Sequence, residues 1–136
     1  FRKFTLQGQI DYVASCLKDS NKALYGIFDD ELHVGNICLE GLKSISRKAE
    51  LTIVIGEKLY QNKGVGTLAV SEVIKLAKFE HRLHKIFCGV AEDNIGSGKI
   101  FKKNNFVFEG RRIDHIFFNG RFYNQLDYGL IIDPNL

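Results

Sequence analysis

The sequence runs to 136 residues and contains no methionine. A chain that starts at its own initiation codon carries one, so residues are expected before Phe1. Cysteine is scarce: Cys16, Cys38 and Cys88 are widely spaced, odd in number and set among apolar neighbours. They read as buried free thiols, which suits a reducing cytoplasm. The four histidines form no metal-like cluster. His81 and His84 stand i,i+3 at a predicted helix end and are expected to face solvent; no metal is expected. No apolar run approaches the 18 or more residues of a membrane span, and no signal-peptide pattern opens the chain. Any large excess of charge is missing too, with 19 Lys and Arg against 16 Asp and Glu. A net +3 is too mild to argue by itself for nucleic acid. The pattern G-x-x-x-x-G-K-[ST] is missing, which excludes a Walker loop. No repeat, linker or low-complexity stretch divides the chain, so residues 1–136 are expected to form one domain.

What is present centres on Ala49 to Arg82. A beta-branched run, Leu51-Thr52-Ile53-Val54-Ile55, reads as a buried strand. A polar linker, Gly56 to Tyr60, follows, and then Gln61-Asn62-Lys63-Gly64-Val65-Gly66-Thr67. Apolar residues at Val65, Ala69, Val73, Leu76 and Ala77 then recur at helical spacing. A helix start exposes about four unpaired N–H groups and a partial positive charge. Glycines at 64 and 66 would let that backbone approach a bulky anion, so a phosphate or pyrophosphate site is predicted. Plain helix-start geometry explains the same glycines. Gly64-Val65-Gly66-Thr67-Leu68-Ala69 also fits the G-x-G-x-x-A dinucleotide fingerprint. Against that reading, the eight residues from Gly56 to Lys63 replace its tight turn.

Around this centre, Thr5 can cap a first helix striped by Leu6, Ile10, Val13, Ala14 and Leu17. Leu24 to Phe28 and Leu32 to Leu39 read as a hairpin across Asp29-Asp30-Glu31. Ile86 to Ala91 is near-continuously apolar, as expected of a strand joined in parallel through a helix. A short helix runs from Asn94 to Lys103 and ends at Asn104-Asn105. Phe106 to Phe118 and Phe122 to Ile132 flank Asn119-Gly120, a strong hairpin turn. The fold class is therefore mixed α/β (α+β), with a mostly antiparallel sheet and one strand–helix–strand crossover.

At this point the pattern resembles the GNAT superfamily of acetyl-CoA-dependent N-acetyltransferases. Gln61-x-x-Gly64-x-Gly66 matches its pyrophosphate loop, Q/R-x-x-G-x-G/A. Asn94-Ile95-Gly96-Ser97 followed by Phe101-Lys102-Lys103-Asn104-Asn105-Phe106 is similar to N-x-x-S/A…Y-x-K-x-G-F. Glu109-Gly110-Arg111-Arg112, Asn119-Gly120 and Asp127 look like the E-G-x-x-R…G…D ending of one branch. That branch acetylates ribosomal-protein N-termini, and close relatives acetylate amino sugars. The resemblance covers roughly residues 23–131. It implies a single GNAT-like domain with helices on both faces of the sheet and with the family's first elements lying before Phe1. There are two departures: the family's frequent general-acid tyrosine falls on Phe101, and its motif glycine on Asn105.

The implied reaction is direct attack of a primary amine on the thioester of acetyl-CoA. N–H groups of Lys63, Gly64, Val65, Gly66 and Thr67, within the loop that begins at Gln61 and Asn62, would hold the pyrophosphate. Backbone at Ile53, Val54 and Ile55 would pair with pantetheine and polarise the thioester oxygen. Asn94, Phe101 and Lys103 complete the expected coenzyme contacts, with Lys99 and Lys102 adding charge. Candidates for the base are Glu50, Glu92 and Asp93, and Glu50 is preferred. Ser97 is the candidate donor to the thiolate; capping of the short helix would explain it equally. Tyr60, Tyr123 and Phe117 could line the acceptor pocket or simply pack. The acceptor is expected to be a protein N-terminal amine or an amino sugar. A polyamine ranks last for want of an acidic cluster. No membrane or nucleic-acid partner is expected, and a homodimer is possible. Two rival functions stand beside this one: a non-catalytic CoA-binding module, and an NAD(P) oxidoreductase.

Overall fold

The structure, a computed structural model, describes residues 20–133 and the backbone of Tyr12–Ser15. Seven strands form one sheet in the order β1-β2-β3-β4-β5-β7-β6. The strands are β1 Tyr12–Ser15, β2 Lys22–Asp29, β3 Leu32–Glu40, β4 Lys48–Ile55, β5 Lys85–Ala91, β6 Val107–Phe118 and β7 Arg121–Ile131. Helix α1, Val65–Phe79, joins β4 to β5, and α2, Ile95–Lys103, follows β5. Only β4 and β5 run parallel; every other neighbouring pair is antiparallel. A doubly wound dinucleotide fold, which needs a mostly parallel sheet, is not what this chain forms.

The first helix expected from Thr5 lies mostly outside the described residues. Two of its stripe positions, Val13 and Ala14, are instead strand residues of β1, opposite Gly26 and Tyr25 of β2. Their helical spacing loses to backbone pairing with a neighbouring hairpin, a tertiary effect that spacing cannot anticipate.

Helix α1 buries Val65, Gly66, Ala69, Val70, Val73 and Ala77. Positions 65, 69, 73 and 77 are successive i+4 neighbours and form one ridge. The ridge shares one buried core with Leu51 of β4, Ile86 and Cys88 of β5, and Phe101. Burying each such Val or Leu side chain contributes about 1.5–3 kcal/mol. Both described helices lie on this face. On the other face Glu50, Thr52 and Val54 alternate with the buried residues of β4 and are exposed. His81 and His84 do not simply face solvent. Tyr25 Oη hydrogen-bonds His81 Nε2 at 2.8 Å, and His84 Nδ1 donates to the Asp133 carbonyl at 2.6 Å.

Candidate acetyl-transfer site

The site begins with a failure of pairing. β4 and β5 align only at Lys48–Lys85, Ala49–Ile86 and Glu50–Phe87. Beyond Glu50 they part, because β4 continues beside β3 as far as Ile55 while β5 stays with β7 as far as Ala91. A slot opens between them. Gly56 N–H donates to the Val34 carbonyl at 3.0 Å, which fixes the phase of the β3–β4 ladder. In that phase Val54 and Thr52 turn their backbone groups to β3, whereas Ile53 and Ile55 turn theirs to the slot. The same reasoning from Glu92 N–H and the Asn124 carbonyl, 2.9 Å apart, turns Gly89 and Ala91 toward the slot from the other side. Of the three residues expected to offer backbone to pantetheine, Val54 is therefore engaged elsewhere. The Ile55 carbonyl is also taken, accepting Gln61 Nε2 at 2.8 Å. Ile53 is left with both groups unpaired by a strand.

The slot leads into an open cavity of about 840 Å³. Its walls are Ile53 to Ile55, the loop at Tyr60, Gln61, Asn62 and Gly64, the start of α1 at Gly66 and Thr67, and residues Asp93 to Ser97 with Lys99, Ile100 and Lys103. The two helix N-termini thus face one space. Gly64 is the N-cap of α1 at φ 82° with no side-chain cap, a left-handed conformation that disfavours any other residue. The first helical bond runs from Leu68 N–H to the Gly64 carbonyl at 3.1 Å. The N–H groups of Val65, Gly66 and Thr67 precede it and carry the positive end of the helix dipole. Lys99 and Lys103, one turn apart on α2, add two full charges to the same cavity.

The two loop glycines do different things. A Cβ at Gly64 would meet nothing within 4 Å, whereas one at Gly66 would lie 2.5 Å from Ile100 Cδ1. Gly66 is small so that α2 can approach α1, and not only so that a ligand can. Asn104 reinforces that contact: its Nδ2 donates to the Thr67 carbonyl at 3.1 Å and to the Ile100 carbonyl at 3.0 Å. In the sequence Asn104-Asn105 marks only a helix end, with Asn105 indeed left-handed at φ 66°; no local signal reveals this tie.

The remaining expected residues divide clearly. Asn94 caps α2 by accepting Ser97 N–H on Oδ1 at 3.1 Å, so Ser97 is not the cap, and Ser97 lines the cavity. Phe101 is 2% exposed and packs edge-on against Phe106, ring centres 5.1 Å apart. Its side chain belongs to the core and reaches no cavity wall. Val65 is likewise buried and offers only backbone, and Lys63 is exposed outside the lining. Glu50 is exposed at the foot of the slot, outside the cavity lining. Three residue steps along the strand separate it from Ile53, about 10 Å. Glu92 is held by Arg111 at 2.9 Å and by Asn124 at 2.9 Å, and Asp93 by Arg121 at 3.0 Å. Tyr60 lines the cavity and donates its hydroxyl to Asp29. That bond, with lesser contributions from burial and nearby carboxylates, pushes the Tyr60 pKa up. Tyr123 lies against Arg121, and Phe117 against Phe122, on the long hairpin away from the cavity walls. Among the described residues no three metal-ligating side chains gather, and no helix is long and apolar enough to cross a membrane.

This geometry has known counterparts. Residues 2–107 match the family described as the acetyltransferase (GNAT) domain. A probable N-acetyltransferase, YjcK of Bacillus subtilis (strain 168), is 33% identical over 126 residues, covering 86% of this chain and 67% of that protein. The spermidine N(1)-acetyltransferase of Vibrio cholerae serotype O1 is 29% identical over 89 residues, 65% of this chain and 51% of that one. A crystal structure of a probable acetyltransferase superposes with TM-score 0.78 at 29% identity, covering 84% of this chain and 64% of the other. The chain thus spans half to two thirds of the length of these relatives. A splayed parallel strand pair, two helix N-termini turned on one cavity and a matching family profile lead to one conclusion: the chain belongs to the GNAT family of acyl-transferring enzymes, whose fold uses acetyl-CoA.

Proposed function

We propose that this chain transfers the acetyl group of acetyl-CoA to a primary amine, either a protein N-terminus or an amino sugar. The observation that carries this reading is the slot beyond Glu50 and Phe87, where Ile53 keeps an unpaired backbone N–H beside a cavity built for phosphates. Backbone N–H groups of Val65, Gly66 and Thr67 would take the pyrophosphate, with Lys99 and Lys103 alongside. Ile53 N–H would hold the thioester oxygen as it gains negative charge. An ammonium acceptor must first lose a proton, since amines arrive mostly protonated at pH 7. Glu50 takes it; at about 10 Å from Ile53 it does so through ordered water and not by direct contact. The amine nitrogen then bonds to the carbonyl carbon as the carbon–sulfur bond breaks. The nitrogen gives up its second proton to solvent water, and the departing sulfur receives one from the Ser97 hydroxyl, which is replenished from solvent. Phe101 is buried and cannot supply that proton.

Acceptor choice follows from charge. The carboxylates of Asp127 and Glu109 are paired with Arg112 and Lys85, at 2.7 and 2.9 Å. Glu50 and Glu40, which faces it across the β3–β4 ladder, have no ion-pair partner among the described residues. Two exposed carboxylates at the foot of the slot fall short of the acidic cluster that a polycation needs. Buried thiols fit a cytoplasmic enzyme. A second copy of the chain is the partner that fits β6, a 12-residue edge strand exposing Val107, Phe108, Ile113, Phe117 and Phe118. The test is thiol release from acetyl-CoA with a short peptide, glucosamine and spermidine as acceptors. Turnover with the peptide or glucosamine above spermidine supports the reading. A preference for spermidine overturns the acceptor choice. Binding of acetyl-CoA without turnover of any amine would instead favour the non-catalytic module, which the buried Phe101 also suits.

A further inference from the structure

Deepening the acetyl-transfer reading, on which it rests, we propose that Gln125 is a specificity-determining residue that receives the acceptor amine on the face of the sheet opposite the helices. The slot between β4 and β5 opens to both faces. The cavity with its helix N-termini lies on the helix side, so a thioester held from there leaves the opposite side for an incoming amine. That side carries Glu50 and Thr52 on β4, Phe87 and Gly89 on β5, and Gln125 and Asp127 on β7. Their placement follows from the pairing: Gly89 faces Asp127 and Ala91 faces Gln125, one position out of step with the core-facing pairs Cys88–Tyr128 and Val90–Leu126.

Gly89 is the telling residue. A Cβ there would lie 2.3 Å from Gln125 Nε2, 2.6 Å from its Cδ and 3.1 Å from its Cγ. The Gln125 side chain is therefore laid flat across the backbone of Gly89, reaching from β7 to the strand that borders the slot. A surface glutamine normally extends into water; this one is held. Its Nε2 donates to Asp127 Oδ1 at 2.9 Å, and Asp127 Oδ2 accepts Arg112 Nε at 2.7 Å. A carboxylate only accepts, so the amide must turn its NH2 toward Asp127. Oε1 is thereby presented away from Asp127, with no partner among the described residues. It is an acceptor fixed in place by the seat of Nε2 over Gly89 of β5 and by the bond to Asp127.

The chemistry of that acceptor defines what it takes. An amide oxygen accepts an N–H from an ammonium and equally from the neutral amine formed after deprotonation. It can hold the nitrogen through both states, which a second carboxylate would not do without opposing proton loss. The charge of Asp127 is already matched by Arg112, so Gln125 adds direction without adding charge. The acceptor class is a single primary amine flanked by uncharged or polar groups.

The test compares the wild-type chain with Gln125→Leu, which keeps the shape and removes Oε1, and with Gly89→Ala, which lifts the amide from its seat. Acetyl transfer is followed with the acceptor that the wild type turns over best, and acetyl-CoA binding is measured separately by calorimetry. A lost hydrogen bond to a charged group predicts a rise in amine KM of about ten- to hundredfold in both variants. The Kd for acetyl-CoA should stay within about twofold, which a merely structural role would not produce. An amine KM unchanged in Gln125→Leu, or a Kd for acetyl-CoA weakened in step with it, overturns the assignment while leaving the acetyl-transfer reading standing. Failure of the wild-type chain to bind acetyl-CoA would overturn both.

Discussion

Glu50 of β4 and Phe87 of β5 are the last residues to face each other across the one parallel strand pair in the sheet. Everything proposed for this chain depends on what happens one residue later. The strands diverge, Ile53 loses its neighbour, and an exposed carboxylate is left at the foot of the gap. If Glu50 relays a proton from the incoming ammonium, Glu50→Gln lowers kcat/KM about a hundredfold near neutral pH, a typical loss for a general base. The loss should shrink as pH rises and more of the amine arrives neutral. A pH–rate profile of wild type and variant checks this; parallel profiles would remove Glu50 from the mechanism.

Gly64 and Gly66 should respond differently to alanine. At Gly64 the backbone has φ 82° and the space is empty, so Gly64→Ala adds strain but no clash. A left-handed non-glycine residue costs about 1–2 kcal/mol. For a domain of this size that lowers Tm by roughly 4–8 °C. At Gly66 the backbone is ordinary and the added carbon meets the tip of Ile100 at 2.5 Å. Gly66→Ala should therefore be partly rescued by Ile100→Val, whereas Gly64→Ala should not. Thermal unfolding of the single and double variants decides it.

Most of this fold could be read in the sequence. Strand and helix boundaries from Leu24 to Ile132 follow from alternation, helical spacing and turn residues, and the structure shifts them by only one to three residues. The Asn119-Gly120 turn was visible for the same local reason, whereas the cap of α2, offered by the sequence at Ser97, falls on Asn94. What escaped was non-local. Val13 and Ala14 keep helical spacing yet join a strand, because the partner that claims them is a hairpin further along the chain. The burial of Phe101 against Phe106, the seat of Gln125 on Gly89 and the loss of Val54 to the β3 ladder depend on which strands lie side by side. No local pattern encodes that.

Asn104 couples the two helix starts that wall the cavity. Removing its Nδ2 deletes bonds to the Thr67 and Ile100 carbonyls. Asn104→Ala should cost about 1–2 kcal/mol of stability, from two hydrogen bonds of modest net worth. It should also weaken acetyl-CoA binding, although Asn104 is not a cavity wall. Acetyl-CoA affinity unchanged in Asn104→Ala would contradict this positioning role.

Cys88 should make the fold sensitive to alkali. Burial above all, with Asp127, Glu50 and Glu109 adding to it, pushes its thiol pKa from 9.0 up to about 12. The folded state thus holds a proton that the unfolded chain releases. Its contribution is fully present below about pH 9 and is lost as pH rises from there toward 12. Chemical denaturation at pH 8 and pH 10.5 should show wild type losing more stability over that interval than Cys88→Ala. Equal losses would mean that Cys88 does not titrate as described.

The central claim is that the slot and its cavity bind acetyl-CoA. Calorimetric titration of the chain with acetyl-CoA tests it most directly, with NADH as the control. The account predicts saturable binding at one site per chain, no response to NADH, and at least tenfold weaker affinity for Lys99→Glu/Lys103→Glu, which reverses the cavity's charge. Absent binding, or binding indifferent to those two lysines, would contradict it.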